Sequence, residues 1–233
     1  MTAAWTPGTP ALVYLPLYNG VETFEIGVPP GGKLLAPPPR ASGVVKPVVV
    51  YGASIEQGGC SSRPGMAWPA IMGRLADVPV INLGCSGEGN MEIELADALA
   101  ELDTDCYIVN TPGNMKLPQI DERYERFLRR LNELRPNVPV LVQEVGDVYN
   151  RPEPDALRSR CREIFAKMKA EEPARWKRWR YIDGTTLLGT DGEGTVDGTH
   201  LNDLGALRQG RVYADEVRRV LKLPRLRDAH RNS

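Results

Sequence analysis

The chain has 233 residues, with 29 Lys+Arg set against 30 Asp+Glu, a formal net charge of −1 and two histidines. A chain of this length buries roughly 70–75% of its unfolded surface, enough for a self-sufficient core. Near-neutrality excludes a global pull toward nucleic acid or an anionic membrane, and His200 and His230 alone cannot build a multi-histidine metal site.

In chain order, Met1–Pro7 lacks the basic and apolar regions of a signal peptide. No apolar run reaches the roughly 18 residues of a membrane span, so a cytoplasmic location is the expectation. Leu12–Tyr18 and Val21–Ile26 flank Asn19-Gly20, a favoured type I′ turn pair, and predict a β-hairpin. Pro16 has no N–H to give a ladder, which places that strand at an edge. Pro29-Pro30-Gly31-Gly32 and Pro37-Pro38-Pro39 then read as a partly stiffened linker. Residues 1–45 are therefore expected to be a hairpin arm and linker, too small to be a domain.

From Lys46 the pattern alternates. Short apolar runs at Val48–Tyr51, Val78–Leu83, Cys106–Asn110 and Val138–Val142, with a weaker one at Arg180–Ile182, predict five strands buried on both faces. Helical spacing follows at Met91–Leu102, through Tyr124, Phe127, Leu128, Leu131 and Leu134, at Ala156–Lys169 and at Leu204–Leu221. Strand–helix alternation of this kind predicts an α/β fold, a doubly wound parallel sheet over residues 46–223. Residues 224–233 form a polar tail that carries His230. Cys60, Cys85, Cys106 and Cys161 show no C-x-x-C spacing and are expected to be free, mostly buried thiols.

In open parallel sheets, ligands bind beyond the carboxyl ends of the strands. The first strand delivers Gly52-Ala53-Ser54-Ile55, the second Gly84-Cys85-Ser86-Gly87 and the third Thr111-Pro112-Gly113-Asn114. Asp197-Gly198-Thr199-His200 precedes the last helix. This set suits acyl transfer. A serine hydroxyl needs an adjacent base, and His200 can be that base. Asp197, three residues earlier, can reach its other ring nitrogen. The N–H groups of Ser54 and Gly84 and the amide of Asn114 are donors for an oxyanion. Met66 and Trp68 are candidates for lining the acyl pocket or for packing the first helix.

Each residue has a rival reading. Ser54 can cap a helix, Gly84 can simply end a strand, and Asn90 shares the Gly-Asn-Met setting of Asn114. Ser86 is a rival nucleophile, yet neither serine sits in a G-x-S-x-G elbow, because Glu56 and Glu88 occupy the place of the second glycine. The glycine-rich turn Gly84–Gly89 lacks G-x-G-x-x-G and a Walker lysine, which argues against a nucleotide site. Arg175–Arg180 interleaves basic and aromatic residues as a single-strand binder does, but the neutral charge favours a solvated helix end.

These blocks resemble the SGNH (GDSL-type) hydrolases. Ser54 matches the family's first block, Gly84 the second, Asn114 the third, and Asp197-x-x-His200 the last. The stretches Tyr51–Gly58 and Arg63–Met66 are especially similar to a bacterial branch of carbohydrate-ester-type esterases that often carries a β-sandwich before the catalytic domain. Ala53 stands where the GDSL spelling has aspartate, and Met115 follows Asn114 where many members have aspartate. The resemblance implies a flavodoxin-like sheet of order 2-1-3-4-5 and a serine esterase without metal or cofactor. The implied substrate is a small-molecule or carbohydrate ester, with a short acyl group such as acetyl. A thioesterase or lysophospholipase of the same family is the nearest enzymatic alternative. A non-catalytic flavodoxin-like ligand-binding module is the alternative outside catalysis.

Overall fold

The computed structural model describes residues 6, 8–110, 112–144, 146 and 154–224. Five parallel strands, β1 (Val48–Gly52), β2 (Val80–Gly84), β3 (Cys106–Asn110), β4 (Val140–Gln143) and β5 (Trp179–Ile182), form one sheet in the order β2-β1-β3-β4-β5. This is the expected doubly wound topology. The apolar runs of β1, β3 and β4 are buried throughout because helices cover both faces.

The side-chain alternation of β1 divides the core. Val49 and Tyr51 join α3 (Ile93–Ala100), α4 (Leu117–Leu134) and α5 (Pro154–Glu171) on one face. Val48 and Val50 join α2 (Trp68–Ala76) and α6 (Asp203–Leu221) on the other. Helix α4 shows how sequence makes this layer. Ile120, Tyr124, Phe127, Leu128 and Leu131 recur at three and four residues and are all buried. Each such side chain contributes roughly 1.5–3 kcal/mol on leaving water. Asn202 caps α6 by accepting the Gly205 N–H at 3.0 Å. Helix α2 was not signalled by the periodicity; it starts on Trp68-Pro69, and proline suits a first turn.

Strand register prepares the site. Gly52 pairs with Gly84 on one side and with Asn110 on the other, so β2, β1 and β3 end at one level. Whatever follows these strands must emerge on a common rim.

Three expectations fail. Residues 8–45 contain no strand, and neither Asn19 nor Gly20 has the positive φ of a type I′ turn. A hairpin needs another element to bury its apolar face, whereas Leu12, Val13, Phe24 and Ile26 stay exposed. The basic–aromatic run is no solvated helix end either. Trp176 and Trp179 are buried and meet edge to face at 5.0 Å, while Arg175 pairs with Glu172 and Glu133. Finally, only Cys106 and Cys161 are buried; Cys60 and Cys85 are free and exposed.

Candidate active site

Strand β1 ends at Gly52, and α1 (Ser54–Gln57) begins one residue after Ala53. This turn presents Ser54 at the rim. Its carbonyl accepts the N–H groups of Gly58 and Gly59, which closes the short helix. His200 comes from the loop before α6, 146 residues away in sequence. Its Nε2 lies 2.9 Å from Ser54 Oγ, and its Nδ1 lies 2.6 Å from Asp197 Oδ2. Asp197 Oδ1 also accepts the backbone N–H groups of Thr199 (2.9 Å) and His200 (2.7 Å). Gly198, with φ at +81°, permits the tight return.

Electrostatics fixes the direction of these bonds. The His200 side chain, followed by its backbone N–H, holds the Asp197 carboxyl down at about 2. An ionised carboxylate only accepts, so Nδ1 carries the ring proton and Nε2 is left to accept from the serine. The arrangement is a nucleophile, a base and an orienting carboxylate in the right order.

Around Ser54 a small cavity is walled by Asn110, Asn114, Gln143, Leu188 and Leu201, among others. Asn114 donates from Nδ2 to the Glu88 carbonyl at 2.9 Å, which fastens it to the turn after β2. That turn is tied to α1 as well, since Ser86 N–H donates to Gln57 Oε1 at 2.7 Å. Met115, where many members have aspartate, is buried in the core, and the Glu88 carbonyl holds Asn114.

Gly84 takes another place than expected. Its N–H donates to Asn82 Oδ1 at 2.9 Å rather than facing the serine. A Cβ there would stand 2.1 Å from Gln57 N, so glycine at this position lets β2 pack against α1. Gly87, three residues on, has a φ of +80° and open space around it. Its signal was present in the sequence as the second glycine of the same turn.

Met66 and Trp68 do not line the cavity. Trp68 is buried under it, stacked on Tyr213 with ring centroids 4.6 Å apart, and Met66 packs against the α2–α6 side of the core. The rival Ser86 is exposed and its N–H is spent on Gln57. Asn90 donates to Glu88 instead. His230 and Thr111 lie outside the described residues.

Sequence reasoning missed two contributions. The arm reaches the rim: Leu17 O accepts from Gln57 Nε2 at 2.9 Å, and Tyr18 Oη and His200 Cδ2 border the same space beside Gly59. Glu56, noted only for standing where an elbow has its second glycine, is buried two residues past the serine.

The profile of the GDSL-like lipase/acylhydrolase family matches residues 45–222. Among solved structures, a candidate GDSL-like lipase from Bacteroides ovatus is similar at 36% identity and a TM-score of 0.67, over 78% of this chain and 55% of that one. The chain thus spans little more than half the length of that relative. A family two carbohydrate esterase from Clostridium thermocellum, in complex with cellohexaose, shares the fold at 14% identity and a TM-score of 0.63, over 82% and 68% of the two chains. An inhibitor-bound aryl esterase of M. smegmatis does so at 16% identity and 0.59, over 76% and 100%. No curated protein matches the chain.

Proposed function

Because the chain belongs to the GDSL-like lipase/acylhydrolase family, we propose that it is a serine ester hydrolase in which Ser54, His200 and Asp197 form the catalytic triad. The observation that carries this reading is the continuous relay from Ser54 Oγ through His200 (2.9 Å) to Asp197 (2.6 Å). Ser54 Oγ attacks the ester carbonyl while His200 Nε2 takes its proton. Asp197 stabilises the imidazolium. The oxyanion meets the Ser54 backbone N–H and the Asn114 amide. With the Gly84 N–H engaged, Gly87 supplies the third donor. His200 then protonates the leaving alkoxide. Water attacks the acyl-enzyme with the same histidine as base, which regenerates Ser54.

The substrate proposed is a short-chain ester, acetyl for preference, of a carbohydrate or related alcohol. The cavity beside Ser54 holds only ≈ 30 Å³ of room, which suits a small acyl group. Tyr18, half exposed, brings its hydroxyl to the space beside Gly59 and His200, where it can hydrogen-bond the alcohol half. The resemblance of Tyr51–Gly58 to carbohydrate-ester-type esterases points the same way.

A serine-directed organophosphate tests the mechanism. Stoichiometric labelling at Ser54 is expected, and failure to label with intact binding of sugars would favour a binding module. A series of p-nitrophenyl esters of rising chain length, run beside an acetylated sugar, tests the substrate. Preference for long chains would remove the short-acyl assignment.

A further inference from the structure

Beneath the nucleophile lies a carboxylate that the triad does not use. Glu56 is the third residue of α1 and is 1% exposed. Its Oε2 accepts the N–H of Ala53, the residue before Ser54, at 2.9 Å. Its Oε1 accepts from Asn110 Nδ2 at the end of β3 and from Trp68 Nε1 of α2, the latter at 3.3 Å. Its backbone carbonyl accepts Asn82 Nδ2 of β2 at 2.7 Å. The side chain folds back over Gly52, where a Cβ would stand 2.2 Å from Oε2. The glycine that ends β1 therefore makes the room this carboxylate occupies.

We propose that Glu56 is a positioning residue for the reaction: as a carboxylate, it clamps the Ala53 N–H and so fixes the turn from which the Ser54 hydroxyl and backbone N–H project. The proposal rests on Ser54 being the nucleophile. A surface helix needs no such device, since an exposed glutamate at this position would serve solubility equally well. Here one side chain ties the nucleophile turn to β3 and α2, and its own carbonyl ties it to β2.

Ionisation matters to the clamp. The Ala53 N–H and the Trp68 indole are donors only, and Asn110 presents its NH2, so in this arrangement none accepts the proton of a carboxylic acid. Protonation must idle one of these donors or turn the Asn110 amide over, and either change loosens the clamp. The other groups on this side are neutral: Gln143 of β4 and Gln209 of α6 in the cavity wall, and the Tyr213 phenol of α6, whose ionisation burial pushes far up. His200 meets the Ser54 hydroxyl and Asp197. Burial raises the Glu56 carboxyl from its ordinary 4.5 to about 7, against the opposing pull of the Ala53 N–H, Asn110 and Trp68. Across that window the folded chain keeps a proton that the unfolded chain has lost, so this group makes stability fall as pH rises from 4.5 to about 7. The clamp engages over the same range. Position is thus gained at some cost in stability.

The test compares wild type with Glu56→Gln on p-nitrophenyl acetate, from about pH 5 to 9, with Tm followed in parallel. The amide keeps the shape but turns one acceptor into a donor. Expected are a kcat lower by roughly 10- to 100-fold, the size of one charge-assisted hydrogen bond, a nearly unchanged KM, and an acid limb that loses one titrating group. The fall of Tm between pH 4.5 and about 7 should be reduced. A kcat within twofold of wild type with the acid limb unmoved overturns the proposal. Should Glu56→Gln not fold, Trp68→Phe keeps the ring stack on Tyr213 and removes one donor. Loss of a donor to the charged form raises the carboxyl pKa, so the acid limb should move to higher pH; a limb that stays overturns the proposal. In Ser54→Ala protein, the Trp68 indole N–H resonance should still titrate near the Glu56 value. A flat indole signal refutes the Glu56 assignment. Persisting turnover in Ser54→Ala refutes the nucleophile assignment instead, so the two failures are distinct.

Discussion

Two regions of this chain carry similar apolar runs and meet different fates. In the arm, Leu12, Val13, Leu15, Phe24 and Ile26 are all at least half exposed, and no strand forms. In the α/β domain, Val48, Val49, Val50, Cys106, Tyr107, Ile108 and Val109 are fully buried in β1 and β3. β-branched residues favour strands only where a pleated surface has neighbours to pack on. Polar anchors tie the arm to the domain. Tyr14 Oη accepts from Arg74 at 2.7 Å, Leu17 O from Gln57, and Asp77 from the Ser42 N–H at 2.8 Å. The contrast teaches that this protein separates a densely packed seat for chemistry from a segment that trims the rim.

If the seat lies wholly in the domain, Ser54→Ala should lower kcat on p-nitrophenyl acetate by roughly 10⁴- to 10⁶-fold with little change in Tm. Retained activity would break the contrast at once. Asp197→Asn should cost roughly 10³- to 10⁴-fold in kcat, because the amide no longer selects the productive tautomer. Its stability partner has a definite sign. The Asp197 carboxyl is held down at about 2 in the folded chain, so its contribution is present above its ordinary 3.8 and lost as pH falls toward 2. The Tm difference between wild type and Asp197→Asn should close over that window, and it should be small, because the carboxylate is nearly half exposed.

Packing sharpens the comparison further. Leu128→Ala, in the buried face of α4, should destabilise by about 2–5 kcal/mol in urea unfolding. Tyr18→Ala should raise KM for an acetylated sugar by roughly 3- to 10-fold and affect p-nitrophenyl acetate less, because only the sugar has hydroxyls to pair with the Tyr18 hydroxyl. Phe24→Ala, at an exposed arm position, should change stability by no more than about 0.5 kcal/mol and leave turnover alone. A cost near that of Leu128→Ala would show that the arm packs as the domain does.

Much of this was legible from the residues. The five strands and four of the helices follow from apolar runs and from spacing of three and four, which depend on local periodicity alone. Ser54, Asn114, Asp197 and His200 stood out because the ends of parallel strands converge whatever the details. Gly84 did not keep its expected donor role. A glycine after a strand serves equally for close packing or for an exposed N–H, and only the neighbour that its Cβ would meet, here Gln57 N, tells these apart. Trp68 was ambiguous for the same reason, until the stack on Tyr213 placed it in the core.

By itself the sequence determined the layered α/β architecture, the strand ends that bear chemistry, and the count of two histidines. Those are properties of periodicity, residue type and count. Only the tertiary structure decided that the arm stays unpaired, that Gln57 joins arm and turn, and that Glu56 lies buried under Ser54. Each depends on which atoms from distant segments fill one space. A glutamate two residues past a serine looks the same on paper whether water or Asn110, Trp68 and the Ala53 N–H surround it.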